Sequence, residues 1–129
     1  MFLLDTYILL WLASDQTKLT EKVKSTIDAN AGSLYVSSIS AFEIVIKHQK
    51  NKLKLPLSPE VWFHRAITLY GIDEITINSE ILIKSALLPQ IHNDPVDRII
   101  IASAMMNNAE IISKDSLISQ YPDVNIIWE

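Results

Sequence analysis

The sequence predicts an α/β protein: three α/β/α layers around a central, mostly five-stranded parallel sheet. Three observations lead there. Short apolar runs alternate with longer helical patterns along the chain, and strands alternating with helices imply parallel pairing. Two of the runs, Phe2-Leu3-Leu4 and Ile111-Ile112, read as buried strands, each followed by a carboxylate. Residues 99–106 are apolar almost all round, as expected for a helix pressed against a sheet.

In chain order, the first strand is predicted over 2–5 and a helix over 7–13. A second helix follows over 20–30, with Thr20 or Ser14 as cap. A strand at 34–37 leads into a helix over 40–51. Pro56 and Pro59 mark a break before a helix over 59–70, which Gly71 ends in the usual C-terminal position. A strand over 72–77, a helix over 79–88 and a loop over 89–93 come next. A helix over 95–108, a strand over 110–113, a short helix over 116–121 and a final strand over 124–128 complete the chain. Right-handed crossovers would put helices on both faces of the sheet.

Composition bounds the function. The 129 residues suit one domain, 1–129, with a real core, and 49% hydrophobic against 20% charged residues excludes a disordered chain. The absence of cysteine rules out disulfides, thiolate metal sites and a cysteine nucleophile, and is compatible with a reducing cytoplasm. No apolar run approaches a membrane span, and no signal peptide is apparent at Met1. A net charge of −4 argues against a general nucleic-acid binder, yet suits an enzyme whose acids are neutralised by metal. With only Gly32 and Gly71, a glycine-rich phosphate loop is absent.

Four acids carry the chemistry: Asp5, Glu43, Asp97 and Asp115. If the strands are parallel, their C-terminal ends share one sheet edge, where ligands bind in open α/β sheets. Carboxylates gathered there make a hard-cation site, and a hard cation suggests phosphate chemistry. Each acid also has a structural reading. Asp5 can cap the helix near Tyr7, Asp115 the turn after it, and Ser40-x-x-Glu43 has the form of a capping box. Asp94 before Pro95 is read as mainly a cap, with Asp97 at the third helical position, where the dipole favours an anion. Carboxylates brought together would repel one another unless a positive charge sits between them, and a divalent cation is the simplest.

Other residues are read more plainly. His48 and His64 are surface residues; His92 precedes the 94–98 segment and could face the site, with a loop role as the simpler reading. Lys47, Lys50, Lys52 and Lys54 form a solvated face, with a phosphate-contact strip as the minority reading. Trp11, Trp62 and Trp128 sit among aliphatics and are read as core or interface residues rather than base-stacking platforms. Arg98 either contacts a site carboxylate or phosphate, or makes a structural ion pair. Thr6 supports Asp5 or simply opens the helix.

Leu3-Leu4-Asp5-Thr6 with Leu9-Leu10-Trp11, Ser38-Ile39-Ser40-Ala41-Phe42-Glu43-Ile44, His92-Asn93-Asp94-Pro95-Val96-Asp97-Arg98 with Ile99-Ile100-Ile101-Ala102, and Ile112-Ser113-Lys114-Asp115 occur in that order. Together these segments resemble the PIN-domain ribonucleases, in the branch formed by the toxins of VapBC-type toxin–antitoxin pairs. The resemblance spans essentially the whole chain. Tyr7, Phe42, Val96 and Ser113 depart from commoner His, Trp, Phe and Thr, while all four acids are kept. Ser113 keeps a hydroxyl able to orient Asp115 or a water. The resemblance implies a PIN-like fold with a five-stranded parallel sheet and Mg²⁺- or Mn²⁺-dependent cleavage of RNA. It also implies an antitoxin protein that inserts into the acidic site, and a homodimer. Two alternatives stand beside it: a catalytically silent binding module that keeps its acids as caps, and another metal-dependent phosphohydrolase. Tyr7 stands where a haloacid-dehalogenase-type enzyme needs its second Asp, and the paired acids of a response-regulator receiver are missing too.

Overall fold

In the computed structural model, which describes residues 1–129, five parallel strands form one sheet. They are β1 (Phe2–Leu4), β2 (Leu34–Ser37), β3 (Asp73–Ile75), β4 (Glu110–Ile112) and β5 (Ile126–Ile127), in the spatial order β3-β2-β1-β4-β5. Six helices connect them: α1 (Thr6–Ser14), α2 (Glu21–Ala29), α3 (Ser38–Gln49), α4 (Pro59–Leu69), α5 (Ser79–Leu87) and α6 (Pro95–Asn107). From β1 the chain builds outward through β2 to β3, then crosses back and builds the other half through β4 to β5. The reversal falls between β1 and β4, so a crevice opens at their C-terminal ends.

The pleat sends alternate side chains to opposite faces, and the two faces bury separate cores. Leu4, Leu34, Val36 and Ile112 face a cluster with Ile8, Leu12, Val23, Ile27, Ile44 and Phe63 from α1 to α4. Leu3 and Ile111 face a second cluster with Ile81, Ile100, Ile101 and Ala104 from α5 and α6. These two cores, one on each side of the sheet, realise the expected three layers.

Element ends follow local chemistry. Asp5 starts α1 by accepting the Tyr7 amide at 2.9 Å, and Thr20 rather than Ser14 starts α2, accepting the Val23 amide at 3.1 Å. Ser14 is the last residue of α1, its hydroxyl bonded back to the Leu10 carbonyl. Gly71 follows the end of α4 with φ +62°, a conformation that favours glycine. The strands expected over 72–77 and 124–128 are shorter, because β3 and β5 are edges with a partner on one side only. The short helix expected over 116–121 is a single 3₁₀ turn, Ile118–Gln120; Pro122 biases Tyr121 away from helical geometry.

Arg98 corrects both sequence-based expectations. It pairs with no carboxylate and does not reach the site edge. Successive helical residues are turned by about 100°, so the neighbour of Asp97 points elsewhere. The buried guanidinium donates to the carbonyls of Leu88 (2.9 Å), Pro89 (3.0 Å), His92 (3.1 Å) and Ala86 (3.4 Å). It thereby ties the end of α5 and the loop over 88–94 to the first turn of α6. Replacing it as Arg98→Met leaves those carbonyls without a charged donor and should destabilise the fold by about 3 kcal/mol. A urea midpoint lowered with unchanged slope is the expected measurement.

Candidate active site

The four predicted acids converge. Asp5 follows β1, and Asp115 follows β4 across the loop at Ser113 and Lys114. Asp97 projects from the first turn of α6, and Glu43 from the middle of α3. All four line one open cavity of about 360 Å³, with Asp94, Tyr7, Ile8, Trp11, Lys47 and Lys114.

The capping readings divide. Asp5 and Asp94 do cap helices, whereas Asp115 only closes a local turn, one oxygen accepting the Leu117 amide at 3.0 Å ahead of the uncapped 3₁₀ turn. Glu43 caps nothing: α3 begins two residues earlier than expected, at Ser38, with Ser37 as its cap. Ser40 lies inside the first turn, where its buried hydroxyl meets Thr6 Oγ1 at 2.8 Å. Thr6 therefore braces α1 against α3 beside Glu43 and has no bond to Asp5.

Where the acids do cap, one oxygen is used and the other faces the site. Asp5 Oδ1 accepts the Tyr7 amide, while Oδ2 accepts the Ser113 hydroxyl at 2.5 Å. Ser113 Oγ in turn accepts the Asp115 amide at 3.0 Å, so one hydroxyl holds the two strand-end acids in register. Asp115 Oδ2 lies 2.6 Å from His92 Nε2, and Asp97 Oδ2 lies 3.2 Å from the same nitrogen.

His92 is the candidate-site residue given too little weight from sequence. It is 8% exposed and sits behind the acids rather than in the loop's solvent face. The Asp94 amide donates to His92 Nδ1 at 3.2 Å, so that nitrogen carries the lone pair and Nε2 carries the hydrogen. His92 thus donates to Asp115 and reaches toward Asp97, and it orients carboxylates instead of offering a free ligand nitrogen. Its place just ahead of the Asp94-Pro95 helix start was the available signal. Of the lysine series only Lys47 reaches the cavity, while Lys50, Lys52 and Lys54 are exposed outside it. Trp62 is buried core as expected, but Trp11 has one face on the cavity.

The PIN domain family profile matches residues 2–124. The chain belongs to the PIN domain family. This PIN domain is 22% identical to a protein named ribonuclease VapC22, from Mycobacterium tuberculosis, over 98% of its own length and 97% of that protein's. Among solved structures it shares its fold with VapBC2 from Rickettsia felis (TM-score 0.73, 14% identity, 99% and 98% of the two chains covered). It is likewise similar to a toxin–antitoxin complex from Klebsiella pneumoniae (TM-score 0.68, 21% identity, 98% and 96% covered). No helix of this PIN domain is long and apolar enough to cross a membrane.

Electrostatics sets what the cavity can hold. Burial pushes the Asp5 carboxyl up, against the opposing Ser113 and Tyr7 hydrogen bonds. Burial also raises Glu43, countered by the Thr6 hydroxyl and by Lys47, whose ammonium is 3.9 Å away. Asp97 is pushed to about 7 by burial and by the charges of Asp5 and Asp94. Carboxylates that resist ionisation because they are buried and, second, because they crowd one another suit a hard divalent cation. With His92 Nε2 engaged as a donor, the ligands available are carboxylate oxygens, a set suited to hard divalent cations such as magnesium, calcium or manganese.

A pH dependence follows. Asp97 binds its proton more tightly folded than unfolded, so the folded state carries the extra proton between about pH 4 and 7 and loses stability as pH rises through that window. In EDTA, the melting temperature should be higher at pH 5 than at pH 7.5, and Asp97→Asn should raise it at pH 7.5. Added Mn²⁺ should flatten the dependence, since a bound cation favours the ionised carboxylates. Thermal melts across pH, with and without Mn²⁺, measure all three.

Proposed function

We propose that this PIN-domain protein is a divalent-cation-dependent endoribonuclease and the toxin of a toxin–antitoxin pair. The observation that carries the proposal is the gathering of Asp5, Glu43, Asp97 and Asp115 around one cavity at the β1/β4 reversal, three of them capping no helix. The names of its relatives, a ribonuclease and toxin–antitoxin complexes, supply the substrate class and the partner. The partner would be an antitoxin protein whose basic side chain enters the acidic cavity and blocks it.

The four carboxylates would hold Mg²⁺ or Mn²⁺. The cation, when bound, polarises the phosphodiester and acidifies a water. The chain's own groups do the rest. Asp5 and Asp115 have both oxygens engaged by hydrogen bonds and act as fixed ligands. Asp97 accepts no backbone bond, which leaves its Oδ1 to take the proton of the attacking water. The new bond forms between water oxygen and phosphorus, the bond to the 3′ oxygen breaks, and that oxygen takes a proton from solvent water, leaving a 5′-phosphate and a 3′-hydroxyl. His92 keeps Asp115 and Asp97 at a fixed spacing, and Ser113 does the same for Asp5 and Asp115.

A silent binding module would need its acids only for local structure, which accounts for Asp5, Asp94 and the turn at Asp115 but not for Glu43 or Asp97. The test uses Asp5→Asn, which keeps an oxygen for the Tyr7 amide and so keeps the cap. Purified protein should cut a mixed, structured RNA pool in Mg²⁺ or Mn²⁺ and not in EDTA. The variant should melt within a few degrees of the parent and lose at least about 100-fold in cleavage, as expected when a hard-cation ligand is removed. Equal cleavage by both proteins would sink the mechanism.

A further inference from the structure

We propose that Tyr7 and Trp11 form a nucleobase-stacking subsite for single-stranded RNA, with Lys47 and Lys114 holding the phosphates at its two ends. The inference rests on the ribonuclease proposal and adds how the RNA strand is gripped beside the acids. Tyr7 and Trp11 are four residues apart, so they share one face of α1, and that face lines the acidic cavity. Their ring centroids are 5.9 Å apart, and Trp11 continues to Trp128 at 6.1 Å, making a short aromatic row. Tyr7 is 42% exposed, unusual for a ring whose neighbours Leu9 and Leu10 are buried.

A cation flanks each end of the row. Lys47 Nζ lies 5.4 Å from the Tyr7 ring centroid, and Lys114 Nζ lies 6.0 Å from that of Trp128. Both lysines line the same cavity as the acids. A wall of carboxylates alone repels a phosphate strand, so a polyanionic substrate needs fixed positive charge beside it. Aromatic faces with a cation at each end match the bases of a short single strand and the phosphates on either side of them. A cavity of about 360 Å³ has the size of a small-ligand site and takes a nucleotide with its base turned out, whereas a duplex keeps its bases stacked inside.

Binding is tested in the Asp5→Asn background with Mg²⁺, where cleavage is suppressed. A short single-stranded RNA is compared with the same backbone carrying abasic sites, by fluorescence anisotropy and by quenching of tryptophan emission. The parent should bind the RNA with bases about ten-fold more tightly, the size expected for one stacked base. Tyr7→Leu and Trp11→Leu should erase that preference while keeping apolar volume, and Tyr7→Phe and Trp11→Phe should restore it. Lys47→Gln and Lys114→Gln should each reduce the slope of log K against log salt by about 0.7, the value for one phosphate contact on a single strand. With Asp5 intact, the leucine variants should raise KM and spare kcat. Equal binding of abasic and normal RNA, or leucine variants indistinguishable from the parent, overturns the subsite. If the protein with Asp5 intact cleaves RNA in that case, the ribonuclease proposal stands alone; if that protein neither binds nor cleaves, both fall.

Discussion

The in-register pairing of β1 with β4 is the constraint on which the site depends. Leu4 pairs with Ile112, so the residues that follow each strand leave the sheet side by side. That adjacency lets the Ser113 hydroxyl bond Asp5, which lies more than a hundred residues away in sequence. A slip of one residue would exchange the faces of the strand, send Leu3 and Leu4 into the wrong cores and separate the two acids. The packing that stabilises the sheet therefore also sets the spacing of the carboxylates.

Two effects of opposite sign act on those carboxylates. Asp5 and Asp97 sit at the starts of α1 and α6, where a helix favours an anion by about 0.3–1 kcal/mol and at most about 2. Against this, carrying Asp97 from 3.8 to about 7 corresponds to about 4 kcal/mol disfavouring its charged form. Burial and mutual repulsion win. The helix ends soften the crowding without removing it, and a cation between the acids would offset what remains. Lys47 neutralises only the Glu43 side.

Much of this was legible in the sequence because apolar runs and carboxylates have strong local signatures. The buried strands, the Asp94-Pro95 helix start and the Gly71 stop depend on residues next to one another, and they lie where local chemistry places them. Errors arose where two local solutions were nearly equal. Ser37 and Ser40 are equally good caps, and the choice between them decides whether Glu43 is a cap or a site residue; the packing of Ser40 on Thr6 decides it. Arg98 and His92 were misjudged for another reason. Their partners are backbone groups of the 88–94 loop, along with carboxylates brought in by folding, and a backbone carbonyl leaves no trace in the sequence. The cavity-facing side of Trp11 was hidden likewise, because a tryptophan among leucines looks the same whether one of its faces is covered or open.

Under the proposed mechanism, Asp5 has two occupations and Glu43 has one. In a lineage that abandoned RNA cleavage, selection for a well-started first helix would still hold an Asp, Asn or Ser at position 5, since the cap is worth about 1 kcal/mol. Nothing comparable would hold a glutamate at position 43, where the side chain is half-buried, costly to ionise and starts no helix. In comparing descendants of this fold, the first acid thus says little about whether the chemistry survives, and the glutamate in the middle of the third helix says much more.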